Sequence, residues 1–451
     1  MPGRHVHFVG IGGVGMAALA ELLMELDYEI SGSDIKLSRT VQRLIDRGAT
    51  IDVGRHSAEH LHAPDHVVYN AAVARSNPEV EAARERGIEV MSRAELLGRV
   101  FDAGRGAAVT GTHGKTTTSS MLARTLRETG FDPSFLIGGD LNDVGSGAAL
   151  GTSDLVVAEA DEAFGSFLEL RPELAVVTNV DLDHLEYYAD QAAIDDAFAT
   201  FLDQRREGGW AVLCADDPGV QRLLPHVAAP IATYGSSEAD LSVAGDGDTT
   251  WHGRRIGTLR LNVPGRHNVL NAAGALAAAL TLGAEPDAAL EALRSFSGVE
   301  RRFSLRGEAG GVVVVDDYAH NPAKVQATIN AAREAYPGHR IVVLFQPHLY
   351  SRTMHLADRF GSSFQGADVV VVTDVYGDRE QPIPGVSGRL VSDAAREHAN
   401  GGMVLYIPRL EEAPGFVASL VYPGDVVLTL GAGDVTTAAP RILELLRTDE
   451  Q

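Results

Sequence analysis

The stretch "AAVTGTHGKTTTSSML", residues 107–122, sets an apolar strand end, a glycine turn, a lysine and three threonines in order before a helical run. Those residue types at that spacing suit a triphosphate. Gly111 and Gly114 let backbone N–H groups approach phosphate oxygens, and the start of the following helix favours anions. Lys115 can reach the β- and γ-phosphates, and Thr116 can ligate Mg²⁺. The strict G-x-x-x-x-G-K-[ST] pattern would have a glycine where Val109 stands, but the physical requirements of the turn are met. The candidate cradle is Gly111, Thr112, His113, Gly114, Lys115, Thr116 and Thr117.

A second cradle lies in "HVHFVGIGGVGMAALAELL", residues 5–23. Gly10, Gly12 and Gly15 form G-x-G-x-x-G after a strand and before a helix, and Asp34 ends the next strand. That context puts a pyrophosphate at a helix N-terminus. It fits a nicotinamide cofactor and a nucleotide-sugar diphosphate equally, because both present the same charge.

Other candidates follow strands. Glu159 ends "LVVAEA" and is placed to supply the further oxygen that Mg²⁺ needs; His184, in "TNVDLDH", could reach a second metal or a phosphate. "GRHNVLNAAGA" puts Asn268 and Asn271 at i, i+3 on one helix face. A carboxamide there matches the donor–acceptor edge of adenine, although asparagines near a helix start also serve as caps. An ATP turn mid-chain and a diphosphate cradle at the start together suggest phosphoryl transfer onto something carried by a second nucleotide. A carboxylate does not condense with an amine at neutral pH, but an acyl phosphate does, and Lys115 with Mg²⁺ would neutralise the transferring group.

The elements that must position these residues are legible as alternating strands and helices. "HVHFVG", "YEISGSD", "HVVYNAA" and "IEVMS" alternate with helical runs up to about Arg99. "AAVTG", "DLVVAEA", "LAVVTNV" and "WAVLCAD" follow, then polar strand-like pieces between Ala229 and Val263 that suggest an antiparallel insertion. "GVVVVDD", "RIVVLFQ", "DVVVVTD", "MVLYI" and "DVVLTLG" complete the chain. Such alternation implies parallel sheets covered by helices. The expected fold is three successive α/β domains with mainly parallel sheets: Rossmann-like over 1–99, P-loop ATPase-like over 100–300 and Rossmann-like over 301–451.

Composition narrows the function classes. The 451 residues are 45% hydrophobic and 22% charged, as in globular proteins. A formal net charge of −23 argues against a nucleic-acid partner, which demands a basic surface. The single cysteine gives neither a disulfide framework nor a zinc cluster. No apolar run is long enough to span a bilayer, so no membrane partner and a cytoplasmic location are expected. Lysine occurs only at Lys36, Lys115 and Lys324, which makes a lysine inside a glycine turn informative.

In order along nearly the whole chain, "GIGGVGM", "GTHGKTTT", "EADE", "TNVDLDH", "GRHNVLNAAGA", "ERRF", "DDYAHNP", "FQPHLYSRT", "EQPIPG" and "GAGD" resemble the Mur ligase family. The resemblance implies ATP- and Mg²⁺-dependent addition of L-alanine to the lactyl carboxylate of UDP-N-acetylmuramate in peptidoglycan synthesis, by a monomer or homodimer. It implies that Gly10, Gly12, Gly13, Gly15, Ser33 and Asp34 bind the UDP part. Lys115 and Thr116 would hold phosphates and metal, with Glu159 and His184 on the metal side. Asn268 and Asn271 would recognise adenine, Arg302 would reach the nucleotide, and Asp316 would contact ribose. Tyr318, His348 and Arg352 would lie near the incoming amino acid, Arg352 as a bidentate partner for its carboxylate; Lys115, His184 and Arg352 are the catalytic candidates.

Leu349 and Asn321 stand where relatives commonly carry arginine and histidine, and no lysine between Lys115 and Lys324 could be carbamylated beside a second metal. Three alternatives stand beside this reading. A murein-peptide recycling ligase would use the same nucleotide sugar. An NAD-dependent dehydrogenase would use the first cradle and leave Lys115 unexplained. A GTPase-like switch would need a lysine that "TNVD" lacks.

Overall fold

A computed structural model describes residues 4–448 apart from 71, 72, 74, 75, 143, 183–186, 237, 378, 379 and 400. The chain divides into two compact units, Met1–Asn262 with Val269–Ser297, and Val263–Asn268 with Gly298–Gln451.

The first unit holds two sheets. Strands β1 (His5–Val9), β2 (Glu29–Asp34), β3 (Thr50–Val53), β4 (His66–Tyr69) and β5 (Glu89–Ser92) form an all-parallel sheet in the order 3-2-1-4-5. Helices α1 (Val14–Glu25), α2 (Arg39–Asp46), α3 (Pro78–Glu85) and α4 (Arg93–Asp102) connect it. The strand order reverses at β1, so the turn after β1 opens at the switch point where such sheets bind ligands.

The second sheet runs β6 (Arg105–Thr110), β7 (Ser134–Leu141), β8 (Ser146–Ala149), β9 (Leu155–Glu159), β10 (Leu174–Val177), β11 (Trp210–Cys214), β12 (Ile231–Gly235), β13 (Leu241–Val243), β14 (Asp248–Trp251) and β15 (Arg254–Thr258). Its order is 15-14-13-12-11-10-6-9-7-8, with β6 between β10 and β9. Helices α5 (Lys115–Glu128), α6 (Gln191–Asp203), α7 (Pro218–Leu223), α8 (Arg266–Thr281) and α9 (Pro286–Arg294) accompany it. The expected antiparallel insertion is an extension of this sheet. β12 and β13 continue the parallel pairing, and the antiparallel pairs there are β13–β14 and β14–β15.

The second unit is built on β16 (Ser304–Ala309), β17 (Val312–Asp317), β18 (Arg340–Phe345), β19 (Val369–Val372), β20 (Met403–Tyr406) and β21 (Asp425–Leu430), ordered 16-17-21-18-19-20. Helices α10 (Pro322–Ala335), α11 (Tyr350–Ser363), α12 (Gly388–His398), α13 (Ala413–Leu420) and α14 (Ala438–Thr448) connect the strands. Runs such as "VVVV" in β19 are apolar throughout because both faces are covered. The strand period of two divides them: Val343 and Phe345 enter one core, Val342 and Leu344 the other. The architecture is therefore three α/β sheets in series with mainly parallel strands, as expected. The antiparallel edge pairs β7–β8 and β16–β17, and the short strand β3, are additions to that expectation.

Within the first unit α1 packs on β7 and β8, and one buried carboxylate joins the two sheets. The Glu21 side chain is 1% exposed and meets Arg43 Nε at 2.8 Å, while Arg43 Nη1 reaches Asp140 at 2.7 Å. Ser146 donates its hydroxyl to Glu21 from β8. Arg43 is the close cation on Glu21, with Arg47 at 3.7 Å, so losing Arg43 leaves a buried carboxylate poorly balanced. Arg43→Ala is expected to lower stability by about 2 kcal/mol, since the arginine is itself partly exposed. Urea unfolding measures this loss, and the double change Glu21→Met, Arg43→Met should recover most of it.

Candidate active site

The turn between β6 and α5 is held from one side and open on the other. Thr112 N donates to Asn179 O at 3.1 Å and His113 N to Asn179 Oδ1 at 2.7 Å. The His113 carbonyl accepts from Thr178 Oγ1 at 2.6 Å and Asn179 Nδ2 at 2.9 Å. Thr112 Oγ1 donates to Asp181 O at 3.1 Å. Thr112 and His113, expected to bind the cofactor, are thus tied by these atoms to the loop after β10. Gly111 has φ +134° and Gly114 φ +80°, a region that L side chains rarely adopt. Space demands glycine as well, because an added Cβ would fall 2.1 Å from Thr178 Oγ1 or 2.3 Å from Asn271 Oδ1. Gly114 caps α5 without any side-chain hydrogen bond, so no cap side chain occupies the N–H groups of the helix start.

Lys115 Nζ bonds to Gly111 O at 2.8 Å and Glu162 Oε2 at 2.6 Å, with Asp161 Oδ1 at 3.8 Å. Burial alone would push the ammonium down, but the carboxylates of Glu162, Asp161 and Glu159 outweigh it and hold Lys115 above the ordinary lysine range. The lysine therefore stays a cation. Beside it, Thr116 Oγ1 donates to Glu159 Oε1 at 3.1 Å, and Gly138 N donates to Glu159 Oε2 at 2.7 Å. Hydroxyl and carboxylate oxygens are hard donors that suit Mg²⁺ completed by waters and phosphate. Among the described residues no three His, Cys, Asp or Glu side chains form a metal cage. His184 lies outside the described residues.

Asn271 faces the same turn, its Oδ1 accepting from Thr118 Oγ1 at 3.3 Å. Asn268, on the same helix α8, turns its amide back to Pro264 O at 2.6 Å. Thr117 stands in the first turn of α5.

At the first cradle, Gly10 N and Ile11 N donate to Ser33 O at 2.8 and 3.1 Å, and Gly12 N donates to Asp34 Oδ2 at 2.8 Å. Gly13 caps α1 with no side-chain bond, and Gly15 lies in the helix's first turn. Ser33 and Asp34 therefore shape the turn from β2. The Ser33 hydroxyl faces inward, donating to Glu79 at 2.6 Å.

In the second unit, the loops after β17, β18 and β19 gather a further group. His348 Nδ1 accepts from Arg352 Nη1 at 3.3 Å, and the His348 ring stacks on Tyr376 at 5.8 Å. His320 lies 5.9 Å from His348 and 5.1 Å from Tyr318, ring to ring. Burial, with Lys324 and Arg352 nearby, pushes His320 well below the usual histidine range, so it is neutral. Its Nδ1–H donates to Tyr318 O at 2.8 Å. Arg301 and Arg302 both lie over the Tyr318 ring, at 4.9 and 5.3 Å. Leu349, the departure from arginine, caps α11 with φ +69° and donates its N–H to Tyr376 O.

Asp316, expected near the ribose, lies near the end of β17. Its side chain is fully buried and accepts from Thr429 Oγ1 and Thr436 Oγ1, both at 2.7 Å, and from Arg306 Nη2 at 3.1 Å. That network makes it an internal anchor of the third sheet. Glu162 and Glu79 are the residues that the motif reading left without a role. The signal for Glu162 was present, since it sits three residues after Glu159 in "EADE".

Comparison with known proteins agrees with this arrangement along the whole length. Three family models match in series: Mur ligase family, catalytic domain, over residues 5–105; Mur ligase middle domain over 109–279; and Mur ligase, glutamate ligase domain, over 301–433. A UDP-N-acetylmuramate–L-alanine ligase of Solidesulfovibrio magneticus is 47% identical, covering 98% of each chain, and one of Trichlorobacter lovleyi is 46% identical over the same share. Among solved structures, UDP-N-acetylmuramate-alanine ligase from Thermotoga maritima is similar with TM-score 0.85 and 30% identity, covering 99% of each chain. A murein peptide ligase from Psychrobacter arcticus gives TM-score 0.76 and 27% identity, again over 99% of each. Matched end to end by relatives of this identity and by models for each of its three parts, the chain belongs to the Mur ligase family.

Proposed function

We propose that this ligase joins L-alanine to the lactyl carboxylate of UDP-N-acetylmuramate at the expense of ATP, through an acyl phosphate. The observation that carries the substrate assignment is the full-length similarity to ligases of that name at 43–47% identity. The phosphate turn supports the chemistry. We assign the nucleotide sugar to 1–99, ATP to 100–300 and the amino acid to 301–451, a division supported by the order of the three matched family parts.

In this reading the start of α1, with Gly12, Gly13 and Gly15, receives the diphosphate of the sugar carrier, while Ser33 and Asp34 hold the turn in shape. The start of α5 and the Lys115 ammonium receive the ATP phosphates. Thr116 and Glu159 are the described residues that would hold Mg²⁺, which supplies charge neutralisation on the phosphate oxygens. Asn271 is placed to meet the adenine and Arg302 the nucleotide. Transfer of the γ-phosphoryl group to the carboxylate makes a phosphate leaving group, and the amine of L-alanine then displaces it. Arg352 is assigned to the alanine carboxylate, with His348 fixing the guanidinium through Nδ1 and Tyr318 beside it. With His320 neutral, the positive charge near it comes from Lys324 and Arg352.

A phosphate-release assay with ATP and UDP-N-acetylmuramate tests the function. Release is expected with L-alanine and at most slowly with L-alanyl-γ-D-glutamyl-meso-diaminopimelate; the reverse order would make the chain a recycling ligase. Lys115→Ala is expected to lower phosphate release on the order of 10³-fold or more, because it removes the fixed cation from the transferring group. Near-normal turnover in that variant would refute the assignment. Arg352→Ala is expected to raise KM for L-alanine by roughly tenfold or more with KM for ATP unchanged, which initial-rate kinetics in each substrate would establish.

A further inference from the structure

Behind the first cradle a single buried carboxylate gathers donors from three separate segments. Glu79 stands at the start of α3, where Asn77 caps the helix and accepts the Glu79 N–H at 2.9 Å. Its Oε2 accepts from His7 Nε2 at 3.0 Å and Ser33 Oγ at 2.6 Å. Its Oε1 accepts from His56 Nδ1 at 2.9 Å, His60 Nδ1 at 3.2 Å and Ser57 N at 3.3 Å. Glu79 and His7 have no exposed side-chain surface. Burial pulls the carboxyl up, but the hydrogen bonds from His7, Ser33 and His56 outweigh it and hold Glu79 well below the usual glutamate range, at about 2. The carboxylate is therefore ionised and only accepts. Each histidine nitrogen facing it must carry a proton.

That fixes which atoms face outward. The His56 and His60 side chains are 21% and 20% exposed, and each has its Nδ1–H turned in to Glu79. That leaves Nε2 of each ring, to which no described residue bonds. His56 and His60 follow β3, and Ser33 ends β2. In a sheet of this order a nucleotide whose diphosphate sits at the start of α1 lays its nucleoside across the ends of β2 and β3. The mechanism described above uses none of these groups beyond Ser33, and nothing in core packing requires an ion there.

We infer that Glu79 is a positioning residue for the nucleoside half of the sugar carrier, locking Ser33 under the glycine turn while it aims His56 and His60 at the uridine. The inference rests on the nucleotide-sugar reading of the first cradle. Glu79 does not touch the ligand. It removes the rotational freedom of the two rings before binding, so its loss weakens one substrate and spares the others.

Calorimetric titration of the full chain with UDP-N-acetylmuramate and with UDP, alongside initial-rate kinetics, tests it. Glu79→Gln keeps the shape and removes the charge; affinity for both ligands is expected to fall tenfold or more, with KM for ATP and L-alanine within twofold of wild type. Unchanged affinity in the folded variant would overturn the inference. So would a uniform fall in kcat with all KM values preserved, the mark of a residue that only supports the fold. Should Glu79→Gln fail to fold, Ser33→Ala and His56→Phe each remove one arm, and each is expected to weaken UDP binding at least threefold; no change in either would overturn it. Wild-type protein that binds no UDP-N-acetylmuramate would instead defeat the reading of the cradle itself.

Discussion

The phosphate turn depends on the ammonium of Lys115, held between the Gly111 carbonyl and the Glu162 carboxylate. A charged lysine is costly to bury, and only close carboxylates make it tolerable. Here those carboxylates come from the end of β9, while the same lysine closes the turn that follows β6. One ion pair therefore ties neighbouring strand ends together and keeps the phosphate turn in its binding shape. The loop after β10 grips the turn from its other side through Thr178 and Asn179. With both flanks tied, the start of α5 remains the open, positive end.

The first cradle solves the same problem with different parts. Its turn hangs from the Ser33 carbonyl and the Asp34 carboxylate, both at the end of the neighbouring strand, and Glu79 fixes Ser33 from beneath. In each case a carboxylate from an adjacent element takes up a donor near the turn, and the helix start is left without a side-chain cap. Rigidity comes from polar groups satisfied inside the protein, and affinity for anions comes from the backbone that those bonds leave exposed. A ligase needs both turns because its acid arrives on one nucleotide and its phosphoryl group on another.

The glycine turns were legible because their signal is local: types and spacing within a dozen residues determine the backbone. The continuous valine runs of β17, β18 and β19 announced a covered parallel sheet for the same reason. Edge strands such as β3, β8 and β16 carry mixed, short patterns that resemble loops, so periodicity does not mark them. Asp316 shows a different limit. "VVVVDD" ends in two adjacent aspartates, and a strand sends neighbours to opposite faces; both are buried, and type alone could not say what each would bond. Asp316 joins Arg306 and the threonines, while Asp317 accepts from Phe303 N and Ala319 N. Glu79 was illegible because its donors sit 19 to 72 residues away, and an acidic residue early in a helix reads as an ordinary capping choice.

The most direct measurement follows oxygen. UDP-N-acetylmuramate labelled with ¹⁸O in the lactyl carboxylate is turned over with ATP and L-alanine, and the inorganic phosphate is analysed by mass. An acyl phosphate sends one labelled oxygen into that phosphate. Unlabelled phosphate, or label recovered in AMP, would contradict the role given to Lys115 and the turn that holds it.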